Sequence, residues 1–225
     1  MRAAQAPPTF TGLIMENSFV VIVFAKAPVP GEVKTRLLPA LDAEHAAMLH
    51  AALTERALMT ALDSNADAIE LCCAPDDSHS FFQACAEDFE IDLSLQGEGD
   101  LGERMLRVLD RALDEYAQAI IIGADCPALS AQHINAAAAA LTDRDIVLTP
   151  AEDGGYALIG AKRTHAKMFA AIDWGTDVVL AQQRHNLAAC ALSRHEMETL
   201  WDVDRPDDLT RLQALRPPLE FFWPS

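Results

Sequence analysis

Between Lys26 and Leu37 the chain reads KAPVPGEVKTRL, which brings Lys26, Lys34 and Arg36 into one short stretch. That grouping is informative because 34 acidic residues face only 17 basic ones, a formal net charge of −17. An electronegative surface repels phosphates and anionic lipid, so nucleic acid and membrane surfaces are disfavoured partners. A small anionic ligand binds such a protein only where local cations overcome the field. Pro28, Pro30 and Gly31 stiffen and tighten the stretch, so backbone N–H groups and the Lys34 and Arg36 side chains can converge on phosphate oxygens. It is not a phosphate loop of the G-x-x-x-x-G-K-[ST] kind.

Three further stretches carry acids. Gly123-Ala124-Asp125-Cys126-Pro127 ends an apolar run, and a carboxylate there suits Mg²⁺ or Mn²⁺ bridging diphosphate oxygens. The rival role for Asp125, capping the next helix, is better filled by Ser130. Cys126 is read as packing, because a thiolate suits softer metals. In Glu152-Asp153-Gly154-Gly155-Tyr156 two glycines allow a ligand to approach the backbone, and a plain hairpin turn is an equal reading. In Asp202-Val203-Asp204-Arg205-Pro206, Asp204 either caps the last helix or supplies a second metal carboxylate; the residues alone favour the cap. Ala25 and Lys26 at the end of the first strand, with Gly99 and Arg104 from GEGDLGER, are the remaining nucleotide-side candidates. The G-x-G spacing is weak by itself, since it neither follows the first strand nor completes a dinucleotide fingerprint. His45, His50, His133 and His185 fall on predicted helices and are read as exposed or satisfied. There is no H-E-x-x-H pair and no nucleophile elbow.

The elements that must position these residues follow from periodicity. Phe19–Ala25 is β-branched and apolar throughout, as a strand buried on both faces is. Strands are also expected at 68–74, 91–95, 119–123, 145–150 and 156–161. Helices are expected over 38–62 with Asp42 as N-cap, from Asp76 or Asp77 to 87, over 101–116, and from the Ser130 cap to 141. Further helices are expected over 164–171, 177–186 and 205–215. Strands alternating with helices predict a three-layer α/β/α, Rossmann-like, mostly parallel sheet in a single domain spanning 18–216. Ligands of such sheets bind beyond the carboxyl ends of the strands, which is where the cation and acid stretches fall.

Residues 1–17 are expected to form a flexible extension without a signal peptide's apolar region, and Met15 is a candidate start. Residues 217–225 are expected to form an apolar tail that packs on its own domain or on a partner. Five cysteines without a Cys-x-x-Cys pair read as reduced, partly buried thiols of a cytoplasmic protein. No apolar run is long enough for a membrane span.

Taken together, FAKAPVPGEVKTRL (24–37), GEGDLGERM (97–105), GADCPAL (123–129), EDGGYALIG (152–160), DWGT (173–176) and DVDRPDDL (202–209) resemble the GT-A-type nucleotide-diphospho-sugar transferase superfamily. Within it they resemble a bacterial group of GT-A-like glycosyltransferases with an FAKAPVPGxVKTRL loop. The resemblance implies that the first half of the sheet binds a nucleotide. It implies a metal, Mg²⁺ or Mn²⁺, held by Asp125 and Asp204, phosphate contacts from Lys34 and Arg36, and a general base at Asp153 or Glu152. Two departures matter: GADCP holds a single acid where many glycosyltransferases have D-x-D, and the L-x-A-G-G-x-G-x-R-M loop of standard nucleotidyltransferases is absent. Sugar transfer from a nucleoside diphosphate to a small-molecule acceptor is therefore expected first, nucleotidyl transfer with pyrophosphate release second. A nucleotide-binding regulator without catalysis is disfavoured by the intact carboxylates.

Overall fold

A computed structural model describes residues 17–221. The expectations for the amino-terminal extension, and for the tail beyond Phe221, lie outside the described residues. Seven strands form one sheet: β1 (Phe19–Lys26), β2 (Ala68–Ala74), β3 (Asp92–Leu95), β4 (Gln118–Gly123), β5 (Ile146–Pro150), β6 (Tyr156–Ala161) and β7 (Arg194–Glu196). Their order is β3-β2-β1-β4-β6-β5-β7. All neighbouring pairs are parallel except those of β6 with β4 and β5. The expected single-domain α/β architecture is thus the one observed.

Among the described residues five helices cover the two faces, α1 (Ala43–Leu62), α2 (Ser80–Phe89), α3 (Leu101–Leu113), α4 (Ala131–Leu141) and α5 (Val179–Ala189), and a sixth, α6 (Asp208–Gln213), lies outside α1. Val21, Val23 and Ala25 of β1 pack with Leu58, Phe82 and Ile134 from α1, α2 and α4. The alternate residues Val20 and Ile22 pack with Val108, Leu109, Val179 and Leu187 from α3 and α5. Burial on both faces explains why β1 reads as a continuous apolar run. A third cluster joins the far side of α1 to Leu37, Val203 and Leu212, and Leu219 and Phe221 of the tail pack against it.

Helix starts follow side-chain caps. Asp42 accepts from the His45 amide at 2.8 Å, while Asp100 with Glu103 and Ser130 with His133 form capping boxes. Residues 38–41 precede the Asp42 cap and form turns, so the first helix starts later than expected. The helix expected over 164–171 is instead a series of turns. Side chains of α5 take its carbonyls: Gln183 donates to Met168 O and Asn186 to Ala170 O. Ala171, at φ 52, then turns the chain left-handed. The last helix is shorter than expected because Asp208 accepts from the amides of Asp204 and Arg205 and starts it there. Strand β7 was not expected; Arg-His-Glu has no apolar alternation, and only its parallel pairing with β5 at the sheet edge makes it a strand.

Candidate active site at the switch point of the sheet

From β1 the chain moves outward through β2 to β3, and then returns to place β4 on the other side of β1. The loops after β1 and β4 therefore diverge and leave a crevice at the carboxyl ends of these two strands, the position where open parallel sheets bind ligands. Lys34 arrives from the first loop and Asp125 from the second. Lys34 Nζ donates to Asp125 Oδ1 at 2.5 Å and to the Val203 carbonyl at 2.7 Å. The Lys34 side chain is only 6% exposed, whereas that of Asp125 is 53% exposed at the open side of the crevice. Two residues on, Arg36 Nη1 meets Asp204 Oδ2 at 2.8 Å, and Nη2 donates to Gly175 O at 3.3 Å.

The segment around residues 197–204 is held to the sheet by backbone hydrogen bonds. Leu200 N donates to Pro150 O, Glu152 N to Leu200 O, and Val203 N to Asp125 O at 2.8 Å. Asp202, Asp204 and Asp125, far apart in sequence, thereby share one edge. The β5–β6 hairpin turn adds Asp153, whose Oδ1 accepts from the Gly155 amide at 2.8 Å. Gly154 sits at φ 91, and a Cβ there would run into the Asp177 backbone. The turn is thus a hairpin turn and a wall of the crevice at once.

Three connected bays result. One of about 400 Å³ is lined by Ala25, Lys26, Lys34, Arg36, His50, Asp125 and Asp204. A second, of about 530 Å³, shares Lys26, Arg36, Asp125 and Asp204 and adds Asp153, Asp202, Tyr156 and Trp174. The third, of about 680 Å³, places Gly99 and Arg104 with Lys26, Ala74 and Pro75. Arg104 Nε donates to Gly99 O at 2.9 Å. Glu152 stands apart from the other candidates. Its carboxylate is gripped at 2.7 and 3.2 Å by Arg211, which lies over the Trp201 ring, and it lines none of the three bays.

The electrostatics differ from carboxylate to carboxylate. Crowding by the crevice walls would push the Asp125 carboxyl up even though its side chain reaches solvent, but Lys34, His50 (charged in the acid range where a carboxyl titrates) and Lys26 outweigh it and hold the group below its ordinary range. At Asp202 the balance is reversed: burial, then the nearby Asp153 and Asp125 charges, outweigh Lys34 and push it up to about 6. Burial pulls the His50 imidazolium down, so the ring is neutral near pH 7. Its Nε2 lies 3.0 Å from the Lys26 carbonyl and its Nδ1 3.9 Å from Asp125 Oδ1. Cys126, beside Asp125, is buried and pushed up to about 12, which keeps it a neutral thiol.

These donors fit a hard divalent cation. Four carboxylates line one bay, and Mg²⁺ characteristically takes one or two carboxylates and fills its other positions with water and substrate phosphate. Among the described residues no three His, Cys, Asp or Glu side chains form a preformed cage. Such an ion would draw the rest of its shell from the ligand.

Sequence reasoning missed His50, Asp202, Trp174 and Gln96. His50 has the α1 spacing of an ordinary core residue. Gln96, 4% exposed, donates to the carbonyls of Ala25 and Cys72 and so fixes the end of β1. Asp202 could have been found as the first acid of DVD. The Asp204 cap does not form; the N-cap position falls on Asp207, without a side-chain cap, and Asp204 pairs with Arg36.

A family profile described as "Uncharacterized protein conserved in bacteria (DUF2064)" matches residues 57–176, more than half of the chain, including Asp125 and Asp153 but not the Lys26–Leu37 loop. No curated protein matches. Among solved structures, a proposed nucleotide-diphospho-sugar transferase from Desulfovibrio desulfuricans G20 is similar with 28% identity, TM-score 0.78 and coverage of 87% of each chain. A nucleotidyl transferase from Methanothermobacter thermautotrophicus shares the fold at 11% identity and TM-score 0.62, covering 88% of this chain and 97% of that one. A CMP:2-keto-3-deoxy-manno-octonic acid synthetase complexed with CTP does so at 12% identity and TM-score 0.57, covering 89% and 98%. No helix among the described residues is long and apolar enough to cross a membrane.

Proposed function

The chain belongs to the bacterial DUF2064 family, and from that premise we propose that it is a metal-dependent transferase of the GT-A type that moves a sugar from a nucleoside diphosphate to a small-molecule acceptor. The observation that carries this reading is the meeting of Lys34 and Asp125 at the switch point, with Arg36 and Asp204 beside them. Cations for phosphate and carboxylates for a metal are within reach of one ligand there. Lys26, Lys34 and Arg36 bind the diphosphate. Asp125 and Asp204 hold Mg²⁺ or Mn²⁺, which when bound neutralises diphosphate oxygens and so favours departure of the leaving group.

An acceptor in the acid-lined bay meets Asp153 and Asp202, with Trp174 and Tyr156 beside them. Asp153 takes the acceptor hydroxyl proton as the oxygen attacks the anomeric carbon. The bond from that carbon to the diphosphate oxygen breaks, and Lys34 and Arg36 stabilise the released charge. Glu152, committed to Arg211, is the poorer base of the two acids. Five free thiols suit a cytoplasmic setting.

One observation favours a second reading, nucleotidyl transfer: three cations in one loop suit a triphosphate as well as a diphosphate. Incubation with Mg²⁺ or Mn²⁺ and panels of nucleotide sugars and nucleoside triphosphates separates the two. Free nucleoside diphosphate is the expected product. Pyrophosphate release from a triphosphate would establish the second reading, and release of neither would remove both.

A further inference from the structure

We propose that the loop after β1 keeps the metal carboxylates closed until a diphosphate arrives, so that cation and nucleotide enter as a chelate and neither binds well alone. This rests on the reading of the cleft just given. The two carboxylates assigned to the metal are each occupied by a cation of the same loop, two residues apart. Lys34 sits on Asp125 at 2.5 Å and Arg36 on Asp204 at 2.8 Å.

The Lys34 ammonium also donates to the Val203 carbonyl at 2.7 Å and is nearly removed from solvent. It therefore lies between two oxygens of the kind a hard divalent ion seeks. A free Mg²⁺ or Mn²⁺ approaching Asp125 meets a fixed positive charge that water screens poorly. A diphosphate changes the balance, because its own negative oxygens give Lys34 and Arg36 new partners and release both carboxylates.

Lys34 occupies the left-handed region at φ 50, ψ 33, sparsely populated by residues other than glycine. Gly31, at φ 82, has open space around it. By linkage, the factor by which the diphosphate raises metal affinity is the factor by which the metal raises diphosphate affinity.

The test is Mn²⁺ binding to the full chain without nucleotide, read from the electron paramagnetic resonance signal of the free ion. Lys34→Gln keeps a donor for Val203 but removes the charge, and is expected to bind Mn²⁺ about tenfold more tightly than wild type. Arg36→Gln, at an exposed position, is expected to gain about threefold. Lys167→Met, a distant exposed cation, controls for net charge and should change nothing. Unchanged affinity in Lys34→Gln overturns the proposal. If that variant loses its far-ultraviolet dichroism, Arg36→Gln decides, and unchanged affinity there overturns it equally. Adding Asp125→Asn to Lys34→Gln must abolish the gain. A gain that persists places the ion elsewhere, and the assignment of Asp125 to the metal falls with it.

Discussion

The two walls of the cleft are built on opposite plans. The cation wall comes from one loop, stiffened by Pro28 and Pro30, whose Lys34 and Arg36 are already paired. The acid wall is gathered from the loop after β4, the β5–β6 turn and the 202–204 segment, and two of its members, Asp153 and Asp202, form no ion pair among the described residues. The contrast shows a division of labour. A chain of net charge −17 must concentrate cations locally to admit an anion at all. Its acids are abundant, and two of those in the cleft, Asp153 and Asp202, are left without a paired cation; burial, with the neighbouring Asp153 and Asp125 charges, pushes Asp202 up to about 6.

Breaking the acid wall where it touches the cations should do most harm. Asp125→Asn is expected to lower turnover about 10³-fold with the fold intact by circular dichroism. Wild-type turnover in that variant would remove Asp125 from the site. Asp153→Asn, which leaves both ion pairs in place, should reduce kcat about 100-fold with little change in donor KM. Glu152→Gln, the neighbouring acid that lines no bay, should stay within about twofold of wild type in the same assay. Within the cation wall, the buried Lys34 should outweigh the exposed Arg36. Alanine is expected to cost about 100-fold in kcat/KM at Lys34 and about tenfold at Arg36, mainly through donor KM.

A smaller effect sharpens the electrostatic side of the contrast. Asp202 binds a proton more readily in the folded chain than an ordinary carboxyl does. Between about pH 4 and pH 6 the folded state therefore holds the extra proton, and this residue's contribution to stability falls as pH rises through that window. Asp202→Asn should remove this dependence and stabilise the metal-free protein at pH 8 by about 1 kcal/mol, measured by urea unfolding with chelator present. The outlying pair should matter least. Arg211→Ala frees the exposed Glu152 and uncovers the half-buried Trp201, and should lower Tm by no more than a few degrees in a thermal melt.

The plan of each wall also decided how legible it was. KAPVPGEVKTRL could be read directly, because its cations lie in one loop after a strand recognisable from its β-branched run. The sheet itself followed from the alternation of strands and helices, and β2 and β6 fall on the expected residues. Asp125 was legible from its place at a strand end. Asp202 was visible only as the first acid of DVD; its place in the cleft depends on Val203 hydrogen-bonding to a carbonyl distant in sequence. His50 was hidden by the helical spacing it shares with Leu49 and Leu53, its buried neighbours on α1. The turns that replace a helix at 166–171 depend on Gln183 and Asn186, side chains that local propensity does not register.

The central claim is that one diphosphate-bearing ligand spans both walls through a shared cation. Equilibrium dialysis of labelled inorganic pyrophosphate, which needs no knowledge of the base or sugar, tests this directly. Wild type is expected to retain pyrophosphate in a manganese-dependent manner; that dependence should vanish in Asp125→Asn, while Lys34→Gln, which lacks a phosphate cation, should retain less pyrophosphate at saturating manganese. Retention that ignores manganese, or that survives either substitution unchanged, would contradict the account.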